Sequence, residues 1–211
     1  MRIAFIGYGQ VGGPLADHLQ RLGHEVTLAA ADPNSKNVQK ALAKNSNLKL
    51  ASPKEAVTAA EVVFLATPFQ ANEAAIGSVR GELIGKILVD CTNPIGPNLT
   101  HGLDNRQSGS EKVQQLVPEA KVVKAFTIYG FENFENNKFP HYNVKPVMMY
   151  CGQDESAKKT VGKLIQQLGW EPLNVGGLGQ ALHLEHMTLL WVRMVRVNGH
   201  SPNMVWAMLT R

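Results

Sequence analysis

The feature that most constrains the fold lies at the start of the chain, where an apolar run, a glycine-rich turn and a helical pattern follow one another. The run covers residues 2–6, and the turn reads Gly7-Tyr8-Gly9-Gln10-Val11-Gly12, which is a G-x-G-x-x-G motif. Leucines at positions 15, 19 and 22 then recur at helical spacing. A strand, this turn and a helix in that order form the context in which the motif indicates a dinucleotide site.

Each glycine of this motif has its own predicted task. Gly7 permits the tight turn, Gly9 lets a pyrophosphate approach the backbone, and Gly12 lets the helix pack closely on the strand. The N-terminus of the helix offers free N–H groups and a positive dipole end to an anion. We therefore expect the six residues to contact the cofactor: Gly7, Tyr8, Gly9, Gln10, Val11 and Gly12.

Strand-like and helix-like segments alternate along the chain, which predicts an α/β fold with a doubly wound parallel sheet. The strand-like segments are residues 2–7, 24–30, 48–51, 61–67, 86–91, 121–126, 146–152 and 171–175. We expect an NAD(P)-binding Rossmann domain over residues 1–178. A short C-terminal segment, residues 179–211, reads as helical, with breaks near Asn198-Gly199 and Ser201-Pro202.

The end of the second predicted strand should indicate which dinucleotide is bound. A carboxylate there would favour NAD and repel a 2′-phosphate, but the position is occupied by Ala30, followed by Ala31. No arginine stands there either. Asn34, Ser35 and Lys36 follow and form a candidate polar nest for a phosphate. The sequence therefore favours NADP(H) over NAD(H).

Composition excludes several other classes of protein. The chain has 211 residues and a net charge of +4, with lysines and arginines scattered, so we expect no nucleic-acid partner. No apolar run is long enough to span a membrane, and the first strand leaves no room for a signal peptide. Cys91 and Cys151 form no C-x-x-C pair. We expect no metal site, and two buried free thiols in a cytoplasmic, reducing compartment.

Five segments together resemble one known family. They read MRIAFIGYGQVGGPLADHL, VVFLATPF, GKILVDCTNPIG, SGSEKVQQLVPEAKVVKAFTIYG and LEHMTLLWV. The chain is similar along its whole length to the F420-dependent NADP oxidoreductases, which in turn resemble the cytosolic reductase domain of six-transmembrane metalloreductases. The resemblance implies hydride transfer between NADP(H) and a small-molecule acceptor, either the deazaflavin coenzyme F420 or a flavin such as FMN or FAD. The acceptor would lie at the carboxyl ends of the strands, beneath the C-terminal segment.

The same resemblance implies which residues line the nicotinamide and acceptor cleft. They are Thr67, Pro68, Phe69, Asn93, Pro94, Ala125 and Thr127. Thr127 stands where the family has asparagine after its Lys-Ala-Phe motif, which leaves the acceptor open. Tyr129 and Phe131, on either side of Gly130, are candidates for a ring-stacking platform, whereas Phe126 reads as a core residue.

Hydride transfer between two rings depends on positioning more than on acid–base groups, and the sequence contains no evident catalytic triad. The candidate catalytic residues are therefore limited to Thr127 and His183. His183 supports an alternative, because GGLGQALHLEH resembles the G-x-G-x-x-x-K segment of β-hydroxyacid dehydrogenases with His183 at the lysine position. In that alternative His183 would be the acid of a ketone or imine reductase. A further alternative is a non-catalytic module that senses NADP(H).

The C-terminal segment is apolar on almost every side, so one domain face cannot easily cover it. Its apolar residues are Leu182, Leu184, Met187, Leu189, Leu190, Trp191, Met194 and Val195. We expect this segment to form a homodimer interface and to act as a lid over the acceptor pocket.

Overall fold

The computed structural model describes residues 1–211, and each strand-like segment of the sequence forms a strand in it. The strands are β1 (Arg2–Ile6), β2 (Glu25–Ala29), β3 (Lys49–Ala51), β4 (Val62–Leu65), β5 (Ile87–Asp90), β6 (Lys121–Lys124), β7 (Val147–Gly152) and β8 (Glu171–Asn174). The α-helices are α1 (Gly12–Arg21), α2 (Lys36–Lys44), α3 (Pro53–Ala59), α4 (Asn72–Gly77), α5 (Gly109–Leu116), α6 (Glu132–Glu135), α7 (Glu155–Gln167) and α8 (Ala181–Val192).

The strands form one sheet in the order β3-β2-β1-β4-β5-β6-β7-β8, which confirms the Rossmann-type α/β fold. The sheet departs from the predicted parallel arrangement at one place, where β7 runs antiparallel to β6. The connection between these two strands contains only the four-residue helix α6, and lacks the long crossover helix that usually joins adjacent parallel strands. The strand order reverses between β1 and β4, because β2 and β3 lie on one side of β1 and β4 to β8 lie on the other. Such folds bind ligands at this switch point.

The sheet separates two apolar cores. One contains 31 buried residues and includes the inner faces of α1, α7 and α8. The other contains 17 buried residues and includes those of α3, α4 and α5. The central strand β4 is buried along its whole length, with Phe64 in the first core and Val63 in the second. This explains why its sequence is continuously apolar instead of alternating.

The prediction that the chain is helical to its end is wrong beyond Val197. Helix α8 continues into a π-helical turn, Arg193–Val197, and residues 198–211 have no regular secondary structure. Gly199 adopts a positive φ of 73° just after this turn, which ends the helix. The tail packs back on the domain, where the carbonyl of Trp206 accepts a hydrogen bond of 2.9 Å from the Val147 N–H.

None of the helices combines the length and the apolar composition that a membrane span requires.

The prediction of two buried free thiols is confirmed for Cys91 and Cys151. Burial raises the pKa of the Cys91 thiol well above its usual value and that of Cys151 to about 12, so both remain protonated at neutral pH.

Candidate functional site

A groove of about 1020 Å³ lies beyond the carboxyl ends of β1, β2 and β4, at the point where the strand order reverses. Five of the six residues of the glycine motif line it: Gly7, Tyr8, Gly9, Gln10 and Val11. The sixth, Gly12, is buried beneath the turn. The volume is in the range of pockets that enclose small-molecule cofactors.

The glycines of the motif have different surroundings. Gly7 has a φ of 92°, and a Cβ there would lie 2.6 Å from the backbone of Ala66. A Cβ on Gly12 would lie 2.1 Å from the carbonyl oxygen of Gly7, so only glycine fits between turn and helix. A Cβ on Gly9 would meet no atom within 4 Å. Gly9 therefore keeps space open in the groove, where the start of α1 can receive a pyrophosphate.

At the end of β2, the structure brings only part of the predicted phosphate nest to the groove. Ser35 lines it, whereas Asn34 and Lys36 do not. Ala30 is also outside, because its N–H donates to the carbonyl of Ala51 and extends the β2–β3 pairing. Its neighbour Ala31 lines the groove in its place.

Two lysines of α2 that sequence reasoning missed also line the groove, Lys40 and Lys44. Lys44 Nζ lies 3.7 Å from a carboxylate oxygen of Asp17, whereas Lys40 forms no salt bridge. Lys40 is thus a positive charge free to meet an anion. Helical spacing is a signal that could have found both lysines, because Lys40 and Lys44 are four residues apart and lie on the same side of α2.

The predicted nicotinamide segment divides in the structure. Thr67 and Pro68 line the groove, but Phe69 does not. Phe69 instead lines a second cavity of about 340 Å³ together with Pro94. Its ring packs so closely on Gly109 that a Cβ there would lie 2.8 Å away.

Three other predicted cleft residues, Asn93, Ala125 and Thr127, do not line the groove. Ala125 and Thr127 are buried at the end of β6, with Thr127 1% exposed. The reason is α8, which crosses the ends of β5 and β6. Its Thr188 hydroxyl lies 3.2 Å from Asn93 Oδ1 and 2.9 Å from the Thr127 carbonyl oxygen.

The aromatic candidates also have different positions. Tyr129 is buried and stacks on Trp170 with 5.2 Å between ring centroids, so the platform prediction is wrong for it. Burial raises the pKa of the Tyr129 phenol, whose hydroxyl donates to the Val147 carbonyl. Phe131 lines the groove and remains a candidate platform. Phe126 is buried in the core, as expected, at 1% exposure.

His183, the alternative acid, is exposed on α8 and does not line the groove. The structure therefore does not bring it to the fingerprint or to Thr67. A general acid must come within hydrogen-bond reach of its substrate, and this position offers no such approach from the groove.

An ionic network that sequence reasoning did not anticipate lies beneath α8. Lys124 Nζ lies 2.8 Å from Glu185 Oε1 and 3.4 Å from Asp90 Oδ2. The other oxygen of Glu185 lies 2.8 Å from His101 Nε2. None of these four side chains is more than 1% exposed. The network joins the ends of β5 and β6 to α8 and to the loop before α5.

The electrostatics of this network keep Lys124 charged. Burial alone would lower the pKa of Lys124, but the carboxylates of Asp90 and Glu185 outweigh it and raise the pKa. Glu185 also accepts hydrogen bonds from the N–H of Gly109, at the start of α5, where the helix dipole favours negative charge. Sequence gave little signal for the network, because Lys124 and Glu185 are 61 residues apart.

Comparisons with known proteins identify the family of the chain. A family model described as NADP oxidoreductase, coenzyme F420-dependent, matches residues 2–94. The F420-dependent NADP reductase of Methanothermobacter thermautotrophicus is 32% identical over 210 residues, covering 92% of this chain and 89% of that protein. The crystal structure of an Arthrobacter sp. FB24 protein assigned as an F420-dependent NADP reductase matches with a TM-score of 0.83 and 30% identity, covering 94% of this chain and 95% of that one.

A longer relative matches over the same region. Metalloreductase STEAP3 of Rattus norvegicus is 30% identical over 188 residues, which cover 89% of this chain and only 36% of that protein. The chain thus spans about a third of that relative's length. The resemblance inferred from the five sequence segments is confirmed. The chain belongs to the family of coenzyme F420-dependent NADP oxidoreductases, a family of NAD(P)-dependent enzymes.

Proposed function

We propose that the protein is an oxidoreductase that transfers hydride between NADP(H) and a deazaflavin or flavin acceptor. The observation that carries the proposal is the groove at the switch point. Gly9 leaves open space in it for a pyrophosphate, and Lys40, which forms no salt bridge, also lines it. Family membership supports the same chemistry. NADP(H), when bound, supplies or accepts the hydride at its nicotinamide ring.

The residues of the groove divide the work of binding. The backbone of Gly9–Val11 and the start of α1 hold the pyrophosphate. Ser35 and Lys40 hold the 2′-phosphate. Thr67 and Pro68 position the nicotinamide end, and Phe131 offers a ring face on the groove wall. Orientation and exclusion of water are therefore the chain's main contributions to catalysis.

The proposal is tested by supplying NADPH together with F420, FMN, FAD or a ferric chelate and following NADPH oxidation. Turnover with a deazaflavin or flavin supports the proposal. Tight NADPH binding without turnover of any acceptor would favour the sensing module instead. Loss of activity in His183→Ala would favour the ketone or imine reductase. We do not expect this loss, because His183 is exposed and lies outside the groove.

Replacing Lys40 with alanine should weaken NADPH binding by about tenfold and leave NADH binding nearly unchanged. A single charge-assisted hydrogen bond to phosphate accounts for a loss of about this size. Dissociation constants for both dinucleotides measure the effect. Lys163→Ala removes an exposed lysine of α7, outside the groove, and is the charge-matched control. Equal losses for NADPH and NADH would contradict the assignment of Lys40 to the 2′-phosphate.

We also propose a homodimer through α8, in which residues 179–211 cover the acceptor pocket. Leu190 is 52% exposed on α8 and Val197 is 64% exposed just after it, which leaves apolar surface uncovered in the single chain. Sedimentation at micromolar concentration should show a dimer that Leu190→Glu converts to monomer. Leu22→Glu changes a leucine that directly follows α1 and is 49% exposed, and this variant should remain dimeric. A monomeric native protein would refute the dimer.

A further inference from the structure

We infer that the Thr67 hydroxyl is held as a hydrogen-bond acceptor toward the groove, and that it thereby selects a pyridine carboxamide over a pyridine carboxylate. The inference rests on the proposed function, because it assigns the nicotinamide end of NADP(H) to Thr67. The Thr67 hydroxyl is held in this orientation by a chain of hydrogen bonds that starts at the buried Asp90, passes through Thr92 and Asn72 and ends at Thr67.

The chain is anchored by a carboxylate that can only accept. Asp90 is 0% exposed, and its Oδ2 accepts from the Ser110 hydroxyl at 2.5 Å and faces Lys124 Nζ at 3.4 Å. Its Oδ1 accepts from both the N–H (2.9 Å) and the hydroxyl (2.7 Å) of Thr92. Lys124 and Asp90 form a buried ion pair. The single hydroxyl proton of Thr92 is therefore committed to Asp90.

That commitment determines the orientation of the Asn72 amide. Since Thr92 Oγ1 has no proton left to give, its neighbour must donate, and Asn72 Nδ2 lies 2.9 Å away. The amide oxygen then points to the other side, where Thr67 Oγ1 lies at 2.7 Å and must donate to it. Asn72 is 3% exposed, so water cannot readily replace these hydrogen-bond partners. Each link thus forces the direction of the next.

The consequence appears at the groove. Thr67 is only partly buried and lines the groove, but its one proton points inward to Asn72. Toward a ligand it presents lone pairs alone. A carboxamide can donate an N–H to those lone pairs, whereas a carboxylate has only lone pairs of its own and would be repelled. Asn72 and Thr92 act as positioning residues, because they work through Thr67.

The test compares the dissociation constants of NADP⁺ and of its nicotinic acid analogue, with 2′-phospho-ADP-ribose as a ligand that lacks the pyridine ring. The wild type should bind NADP⁺ about tenfold more tightly than the acid analogue, or more. This is the loss in affinity expected when a hydrogen bond is replaced by an unpaired charge. Asn72→Ala releases the Thr67 proton toward the groove, so the preference should fall to about threefold or less. Affinity for 2′-phospho-ADP-ribose should stay unchanged, which separates this effect from general damage to the groove.

A second pair of variants protects the test against misfolding of Asn72→Ala. Thr92→Val removes the link to Asp90 with little change of shape and frees the Asn72 amide to turn, so the preference should again fall. Thr92→Ser restores the hydroxyl and should restore the preference. Thr160→Val changes a partly exposed threonine of α7, outside the groove, and is the matched control.

The measured affinities distinguish failure of the inference from failure of the proposed function. A wild type that binds NADP⁺ and its acid analogue equally, or an unchanged preference in both Asn72→Ala and Thr92→Val, would overturn the inference and leave the proposed function standing. A wild type that binds neither dinucleotide nor 2′-phospho-ADP-ribose would refute the proposed function itself, and the inference with it.

Discussion

Replacing Lys124 with methionine is expected to lower the free energy of unfolding by about 3–5 kcal/mol, the usual cost of removing one partner from a buried ion pair. Methionine conserves much of the volume of the lysine, so the loss is electrostatic. Lys124 has no exposed surface, and its removal leaves Asp90 and Glu185 as buried carboxylates without a cation. Urea unfolding of both proteins at neutral pH measures the difference.

Lys158→Met is the matched control for this experiment. Lys158 Nζ lies 2.6 Å from Glu155, whose side chain is 82% exposed, so breaking that pair leaves the carboxylate in water. We expect a change of about 1 kcal/mol or less. A loss in Lys124→Met no larger than in the control would show that the buried network contributes nothing to stability. Glu185→Leu in the Lys124→Met background should lose less than the two single changes added together, because they share one network.

Replacing Gly9 with alanine is expected to weaken NADPH binding by about 10–100-fold, as when one or two charge-assisted hydrogen bonds are lost. The temperature of unfolding should not change. A methyl group at Gly9 contacts no atom of the protein but occupies the space through which a pyrophosphate approaches the backbone. Binding titrations and thermal unfolding of the same samples measure the two effects separately.

Gly12→Ala provides the contrast, since its methyl group would overlap the carbonyl oxygen of Gly7. We expect this variant to lose about 1–3 kcal/mol of stability or more, through overpacking of the turn against α1. Its binding defect would follow from the damaged fold. A Gly9→Ala protein that is destabilised as much as Gly12→Ala, or that binds NADPH normally, would show that the space over Gly9 is not the pyrophosphate site.

Much of the fold could be predicted because its signals are local. The glycine motif, the apolar runs of β4 and β5 and the helical spacing after Gly12 each lie within a few residues of one another. The direction of β7 could not be predicted in this way, because a strand has the same side-chain pattern in either direction. The C-terminal tail differs from its prediction because the helix does not resume after the breaks at Asn198-Gly199 and Ser201-Pro202.

The predicted site residues lie at the groove where their position depends on one strand and the turn that follows it. Thr67 and Pro68 lie at the groove because β4 ends directly before them. Asn93 and Thr127 also follow strands, yet α8 covers them, and α8 comes from a distant part of the chain. The roles of these positions therefore depend on a packing contact between residues 61–95 positions apart.

By itself the sequence determined the Rossmann-type sheet, the dinucleotide motif and the family, because each depends on residues close together along the chain. Only the tertiary structure showed which side chains face the groove and which are covered by α8. Only it brought Lys124, Asp90, Glu185 and His101 into one buried network and aligned Asp90 with Thr67 through Asn72. Burial and hydrogen-bond direction depend on neighbours that are distant in sequence, so the local sequence pattern does not predict either of them.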